Sequence, residues 1–305
     1  MSLITIDDFE FSHGQSGKAR QYCRQLEEGH ILYFPRSPIH PSEEDVEFLL
    51  DQRQSGAHYH KNIAYRPHQE RITGLARELQ DQTERLLTIM SSYSRRATEF
   101  LTVLLAPYAP RWRLDYGSFR SQEEEGRDLR PRSRNDLIHV DAFPTRPTHG
   151  DRILRVFTNI NPSQSRHWIT TDSFEGLAHQ FAGSQLPLPV SLQDSVWRRI
   201  LHTLAKGASS LGLPVVARSP YDEFMLRFHH FLKENQDFQD NCPKQEWKFP
   251  PHSSWIVFTD TVSHAVMTGR FALEQTYIIS RHSLVVPEKA PVRILENLCG
   301  APLTD

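Results

Sequence analysis

The sequence predicts an α+β domain that is mainly β, with helices before residue 110 and strands after it. Residues 70–105 carry apolar side chains at helical spacing, which indicates one long supporting helix. Beyond residue 110 the chain changes to short runs rich in β-branched and aromatic residues, as is typical of strands. Helical character returns at residues 191–207 and 221–235, and we expect these segments to be inserts between strands.

The N-terminal elements follow from periodicity and from residues that begin or end helices. We predict a helix over residues 16–28, a strand over residues 31–34 and a helix that begins after Ser42. Pro107 ends the long helix. Its apolar face consists of Ile72, Leu75, Leu79, Leu86, Leu87 and Met90.

The second half of the chain supplies the sheet. Its strands are predicted at residues 112–119, 153–160, 254–259, 264–267 and 271–280. The length allows one large domain or two modest ones, each with its own core, and we predict a single domain over residues 1–305. Within it, residues 1–110 are helical support, residues 111–290 the β core with its helical inserts, and residues 291–305 a C-terminal tail.

Composition narrows the functional class. The net charge is −2, from 35 basic and 37 acidic residues, so the whole chain has no field that would select nucleic acid. The three cysteines, Cys23, Cys242 and Cys299, provide no disulfide framework, and this favours a reducing cytoplasm. The N-terminus has no signal-peptide pattern, and no apolar run approaches the roughly 20 residues of a membrane span.

The triplet His139-Val140-Asp141 is the first candidate metal motif. On an extended chain, residues two apart share one face, so both side chains can bind one ion. The motif alone is weak, because a chain with 16 histidines shows such a triplet by chance. His264, after a distant apolar strand, supplies a third ligand. Two histidines and one carboxylate leave positions open for 2-oxoglutarate and O2, as a non-haem Fe(II) oxygenase requires and a closed structural zinc site does not.

Two residues near these ligands are predicted to bind 2-oxoglutarate. Arg270 opens the strand after His264, and its guanidinium suits the distal carboxylate; an exposed turn arginine is the alternative. Asn159, at the end of the strand after His139, is predicted to give a second polar contact. Arg155 shares the face of Asn159, so an anionic ligand nearby or an ion pair with an acidic residue would explain it.

The block formed by residues 137–162, which contains His139-Val140-Asp141 and Arg152-Ile153-Leu154-Arg155, resembles the 3-deoxy-D-manno-oct-2-ulosonic acid (Kdo) hydroxylases. Ser118-Phe119-Arg120 upstream and residues 262–276 downstream support the resemblance, which covers nearly the whole chain. It implies a double-stranded β-helix, a jelly-roll core of the cupin type. It also implies hydroxylation of the Kdo sugar of the lipopolysaccharide inner core at C3, giving Ko with release of succinate and CO2. The cofactor would be Fe(II), with 2-oxoglutarate and O2 as cosubstrates.

The resemblance implies an anionic saccharide, so we expect a substrate rim of arginines. Its members would be Arg132, Arg134, Arg146, Arg152 and Arg155. The acceptor would be Kdo-bearing lipid A or its precursor, and the enzyme would act in the cytoplasm, peripherally at the inner-membrane surface.

Two other readings keep part of this pattern. A cupin-like protein that binds a sugar or acid without redox chemistry needs neither Arg270 nor an open iron position. Another 2-oxoglutarate hydroxylase, acting on a small acid or a protein side chain, would share all of the metal chemistry. We do not expect the paired histidines to bind the metal, because no carboxylate lies at a matching offset; they are His58, His60, His229 and His230.

Overall fold

The structure, a computed structural model, describes residues 1–7, 16–56, 62–127, 129–189 and 216–304. The insert predicted at residues 191–207 lies outside them, as do His58 and His60. The strands are β1 (Leu3–Thr5), β2 (Ile31–Phe34), β3 (Ile63–Arg66), β4 (Arg71–Thr73), β5 (Trp112–Arg120), β6 (Arg152–Asn159), β7 (Arg166–Ser173), β8 (Gln245–Phe249), β9 (Ser254–Phe258), β10 (Val262–Thr268) and β11 (Ala272–Ile279). The helices are α1 (Ser16–Glu27), α2 (Glu43–Leu50), α3 (Thr83–Leu104), α4 (Phe174–Phe181), α5 (Pro220–Glu234), α6 (Gln236–Asn241) and α7 (Pro291–Cys299).

The strands form two sheets. The larger has the order β1-β2-β9-β6-β11-β5-β3-β4, and the smaller has the order β10-β7-β8. His139 extends the smaller sheet by an antiparallel bridge to His264 on β10. From β5 to β11 the chain passes back and forth between the sheets, which confirms the predicted double-stranded β-helix.

The two sheets face each other across an aromatic core. Phe157 and Trp255 of the larger sheet contact Trp168 of the smaller one, at ring-centroid distances of 5.0 and 5.6 Å. Helices α1, α2 and α3 cover the far face of the larger sheet through a second apolar cluster. Helices α4 to α7 cover the far face of the smaller sheet through a third. Each sheet is therefore covered by helices on the face that turns away from the other sheet.

The predicted start of the long helix, near residue 70, is wrong, because the helix begins at Thr83. Residues 71–73 form β4 instead, which pairs with β3. Gly74 then has a φ of +85°, a left-handed conformation that suits glycine and interrupts any helix. Ile72 and Leu75 are buried, as their apolar character indicated, but a strand and a turn bury them.

The N-terminal region contributes more than helical support. Strands β1 and β2 extend one edge of the larger sheet beyond β9, while β3 and β4 extend the other edge beyond β5. The segment expected to be a C-terminal tail contains α7, whose residues Ile294 and Leu295 are buried. None of the described helices combines enough length and apolar character to cross a bilayer.

Candidate metal centre

Three side chains with metal-binding chemistry meet between the two sheets. His139 and His264 lie opposite each other and exchange both backbone hydrogen bonds, at N to O distances of 3.0 and 2.8 Å. The backbone N–H of Asp141 donates to Thr259 O at 2.8 Å, which fixes the third side chain beside them. One possible ligand atom from each residue lies within 4.8 Å of the other two. No other such group of three His, Cys, Asp or Glu side chains occurs in the described residues.

The two histidine rings are oriented for metal binding. Nδ1 of His139 lies 2.7 Å from Leu137 O, and Nδ1 of His264 lies 2.9 Å from Val262 O. A carbonyl oxygen can only accept, so each Nδ1 carries the hydrogen and each Nε2 keeps its lone pair for an ion. Burial lowers the pKa of both rings, which keeps them in the neutral form that a metal binds.

Asp141 is held as a carboxylate by a buried arginine. Burial by itself raises the pKa of Asp141, but the guanidinium of Arg155 reverses this and leaves the pKa below its ordinary value. Arg155 Nη2 lies 3.1 Å from Asp141 Oδ2, and Arg155 Nε lies 3.9 Å from Glu274 Oε1. Arg155 therefore faces the centre, as strand alternation predicted, and two acidic residues flank it.

Two aromatic side chains pack against the histidines. The indole of Trp168 stacks on His264 at a centroid distance of 5.0 Å and an interplanar angle of 18°. His229, which we discounted as a ligand, lies outside the three-residue group but contacts His139 edge to face at 5.0 Å. Its Nδ1 lies 2.7 Å from Val140 O, between the two ligands of the triplet. His229 is thus a packing partner of the centre that sequence spacing did not reveal.

Arg270 does not reach the centre. Its side chain is exposed, and its guanidinium lies 4.6 Å from the ring centroid of Phe271. That ring stacks on Phe119 on the helix-covered side of the larger sheet. The backbone N–H of Arg270 donates to Glu123 Oε1 at 3.2 Å. The placement matches the exposed turn arginine and does not support the prediction that Arg270 binds 2-oxoglutarate.

Asn159 has a structural role at the end of β6. Its Nδ2 donates to Gln164 O at 2.9 Å and to Phe249 O at 3.0 Å, while its Oδ1 accepts from Asn161 N at 3.0 Å. Both amide hydrogens are therefore used within the protein. Asn159 therefore has no amide hydrogen left for the predicted contact with 2-oxoglutarate.

The other predicted substrate arginines separate into three environments. Arg152 is fully buried on the far face of β6, where it binds Asp260 through two hydrogen bonds of 2.8 and 3.1 Å. That position corrects its assignment to a substrate rim, since strand alternation turns it away from the centre. Arg134 pairs with Asp136, and the exposed Arg132 pairs with Glu234. Arg146 is the one of these four that shares a ring contact with Arg155, since both guanidinium groups lie over Phe143.

Two further buried arginines, Arg166 and Arg120, were not among the predicted site residues. Arg166, at the start of β7, is fully buried, and its Nε and Nη2 have no hydrogen-bond partner; its Nη1 donates to Gly269 O. Burial and the neighbouring charge of Arg120 lower its pKa to about 10. Arg120, on β5, also has an unpartnered Nε, although Glu124 and Glu274 lie 3.7 and 3.5 Å from its other nitrogens. In the sequence, each of them could have been found as an arginine at a strand position whose side chain faces the other sheet.

These two arginines and the triad lie on one inner surface. The guanidinium of Arg120 is 5.8 Å from the ring of Phe157, and Phe157 contacts Trp168, which stacks on His264. The indole Nε1 of Trp168 is buried and unpartnered as well. Buried donors without acceptors are costly, so this surface is built to receive an anionic ligand beside the triad.

A double-stranded β-helix that carries two histidines and one carboxylate with both Nε2 atoms free has the architecture of the non-haem Fe(II) oxygenases. Comparison of the sequence with family models finds a match over residues 11–302 to the family described as 3-deoxy-D-manno-oct-2-ulosonic acid (Kdo) hydroxylase. The chain belongs to this family.

Solved structures give the same relationship. The Kdo hydroxylase KdoO, a non-haem Fe(II) α-ketoglutarate-dependent dioxygenase, matches in its apo form at 32% identity and a TM-score of 0.84, covering 100% of this chain and 98% of that one. Its complex with α-ketoglutarate and Fe(III) matches at 31% identity and 0.83, with the same coverage. Its cobalt(II) complex matches at 32% and 0.85, covering 99% and 97%. Comparison with curated proteins gives no match. The predicted family and fold are confirmed.

Proposed function

We propose that the chain is an Fe(II)- and 2-oxoglutarate-dependent dioxygenase that hydroxylates Kdo at C3, giving Ko with release of succinate and CO2. The observation that carries this proposal is one inner surface on which a triad with free Nε2 atoms adjoins buried arginine donors without acceptors. Membership of the Kdo hydroxylase family and the likeness to KdoO support the sugar.

His139, Asp141 and His264 would hold the iron. The donor set fits, because two neutral imidazoles and one carboxylate on one side of an ion leave the opposite side free. Iron bound there would supply the oxidising chemistry that couples decarboxylation of 2-oxoglutarate to hydroxylation. The part of the chain is to fix the ligands: the backbone bonds between His139 and His264 set their separation, and Arg155 keeps Asp141 ionised.

Arg166 and Arg120 would bind the distal carboxylate of 2-oxoglutarate. Two guanidinium groups of like charge lie close together in a buried place, and a carboxylate would supply acceptors for their unpartnered nitrogens. Trp168 connects this end of the surface to His264, and its free indole N–H is a further donor for the same molecule. Phe157 and Trp255 close the space behind it and exclude water.

The finer substrate is a proposal that extends the family activity. We infer that the Kdo is carried on lipid A or its precursor, and that the protein works peripherally at the cytoplasmic face of the inner membrane. An anionic acceptor fits a site whose inner surface is rich in arginine. Association with vesicles containing anionic lipid, measured by co-sedimentation, tests the membrane part separately from the chemistry.

The decisive experiment is incubation of Kdo-bearing lipid A precursor with the protein, Fe(II), ascorbate and 2-oxoglutarate, followed by mass spectrometry. We expect a gain of one oxygen on the Kdo residue and one succinate for each hydroxylation. Succinate formation stimulated by another compound, with no change in the Kdo acceptor, would retire the sugar assignment. Anaerobic addition of Fe(II) and 2-oxoglutarate should give a weak visible charge-transfer band, and a protein that only binds sugar would show none.

A further inference from the structure

A ladder of alternating aromatic rings and arginines leads outward from the triad. Arg155, beside Asp141, lies 5.6 Å from the ring centroid of Phe143. The guanidinium of Arg146 lies 4.4 Å from the same ring centroid. The same guanidinium lies 3.9 Å from the ring centroid of Tyr116. The ladder therefore runs from a buried residue of the centre to a guanidinium whose side chain is 29% exposed.

Asp115 fixes the outer end of this ladder and brings an unused acceptor. Its Oδ1 accepts from Arg146 Nη1 at 2.9 Å, whereas its Oδ2 is buried and has no hydrogen-bond partner. The residue is only 9% exposed. The register between β5 and β11 shifts at this point, between the partners of Gln275 and Tyr277. Such an irregularity re-aims side chains on a strand, and here it places Asp115 and Tyr116 at the ladder.

We propose that Asp115, Tyr116, Phe143 and Arg146 form the subsite that recognises the saccharide, with Asp115 Oδ2 accepting a sugar hydroxyl and Arg146 binding an anionic group of the acceptor. This inference rests on the proposed function and names the residues that select its substrate. The rings of Phe143 and Tyr116 hold the guanidinium of Arg146 in place, and its nitrogens other than Nη1, which donates to Asp115, remain for a carboxylate or a phosphate.

The chemistry of the subsite distinguishes the saccharide from the cosubstrate. 2-Oxoglutarate has two carboxylates and no hydroxyl, so it cannot satisfy Asp115 Oδ2 and would be repelled by its charge. An anionic sugar supplies both groups, a hydroxyl hydrogen for Asp115 and an anion for Arg146. Arg166 offers two unpartnered nitrogens, and the nearby carboxylates of Glu124 and Glu274 are ion-paired with Arg120 at 3.7 and 3.5 Å, which leaves Arg166 for the cosubstrate. The two ends of the site are therefore specialised for different anions.

The test compares Arg146→Gln, Arg146→Lys and Asp115→Asn with a matched control, Arg85→Gln. Arg85 also pairs with an acid, Glu44 at 2.8 Å, and also stacks on a ring, Phe48 at 4.5 Å, but it lies in the helical layer. Binding of Kdo-bearing lipid A to protein loaded with 2-oxoglutarate and Co(II) in place of Fe(II) is measured by calorimetry. A second acceptor with its lipid A phosphates removed is titrated in parallel, and melting temperatures report folding.

We expect Arg146→Gln to weaken acceptor binding about tenfold or more, since a charge-assisted hydrogen bond is lost. Arg146→Lys should recover part of the loss, because a point charge replaces a planar fork. The KM for 2-oxoglutarate should stay within about twofold of wild type. A loss that persists on the dephosphorylated acceptor assigns Arg146 to the sugar carboxylate, and a loss confined to the phosphorylated one assigns it to a phosphate.

Two results would overturn the subsite. One is equal acceptor binding by wild type and Arg146→Gln; the other is an equal rise in Kd for acceptor and KM for 2-oxoglutarate, which would indicate disturbance of Arg155. The same loss in Arg85→Gln would also contradict it. Because cobalt blocks turnover, these outcomes do not depend on whether the bound acceptor is hydroxylated. Binding without later hydroxylation by the iron enzyme would refute the proposed function and leave the subsite standing.

Discussion

The two faces of β6 place arginines in opposite situations three residues apart. Arg152, on the face that turns away from the triad, has a bidentate acid partner and no solvent exposure. Arg155, on the inner face, lies between the triad and the ladder, and its Nε has no hydrogen-bond partner. Arg166 on the facing sheet has two unpartnered nitrogens. Arg152 Nη1 is unpartnered as well, so the two hydrogen bonds to Asp260 and the position on the face that turns away from the triad are what mark the charge of Arg152 as structural.

The largest effect should follow from removing a ligand on the inner side. His139→Ala, Asp141→Ala and His264→Ala should each abolish succinate formation, because two remaining ligands hold the ion poorly. Far-ultraviolet circular dichroism should be unchanged, and bound iron should fall. If all three purified variants retain substantial turnover, the assignment of the metal centre is wrong.

Arg152→Met should destabilise the protein by about 3–5 kcal/mol, because it leaves the charge of Asp260 buried without its partner. Urea unfolding gives the free energy of unfolding. Arg85→Met is the control, since an exposed pair contributes about 0–1 kcal/mol. An Arg152→Met protein that is as stable as wild type but binds substrate poorly would restore the rim assignment.

Arg166→Met should have the reverse profile. Loss of a buried donor to a carboxylate should raise the KM for 2-oxoglutarate by about 30-fold or more. Stability should stay equal or increase, because an unpartnered buried charge is replaced by an apolar side chain of similar length. Steady-state kinetics and urea unfolding on the same preparation measure both. A destabilised variant with a normal KM would mean that Arg166, like Arg152, stabilises the fold and does not bind 2-oxoglutarate.

Asn159→Ala should cost about 1–3 kcal/mol of stability, since Gln164 O and Phe249 O lose their donor. We expect the KM for 2-oxoglutarate to remain near that of wild type once the folded fraction is taken into account. A rise in KM without loss of stability would return Asn159 to the cosubstrate site.

Arg270→Gln should have the smallest effect, a change within about twofold in the KM for 2-oxoglutarate, because surface substitutions away from a site are mostly neutral. The comparison with Arg166→Met in one assay decides between the two arginines. A large rise for Arg270→Gln, with none for Arg166→Met, would show that the prediction from spacing was correct.

Local sequence patterns predicted the individual helices and strands better than they predicted which strands pair with each other. Helix α2 with its Ser42 cap, strand β2 and most strands of the core were predicted from periodicity. The pairing of β1 to β4 with the larger sheet was not, because such contacts join residues far apart in sequence. β7 and β8 were missed, since β7 carries polar residues on both faces and β8 is five residues long with only two apolar side chains, Trp247 and Phe249.

The site divides in the same way. The triad was predicted because His139 and Asp141 are neighbours and His264 follows an apolar strand. Distance along the chain from His264 led to the prediction of Arg270 as the cosubstrate arginine, whereas burial leads us to propose Arg166. Strand alternation correctly predicted that Arg155 faces inward. Its partner there, Asp141, could not be predicted, because it depends on how the two sheets pack.

The paired backbone bonds between His139 and His264 mean that the metal site is preorganised by the sheet itself. The apoprotein should therefore remain folded, unlike domains in which metal binding and folding are one event. A rigid site of this kind does not choose its ion by shape alone, since affinities for such ligands rise along the divalent series toward copper. Occupancy by iron in a cell would then depend on metal supply. A divalent ion that binds more strongly would displace the iron and inactivate the protein without unfolding it.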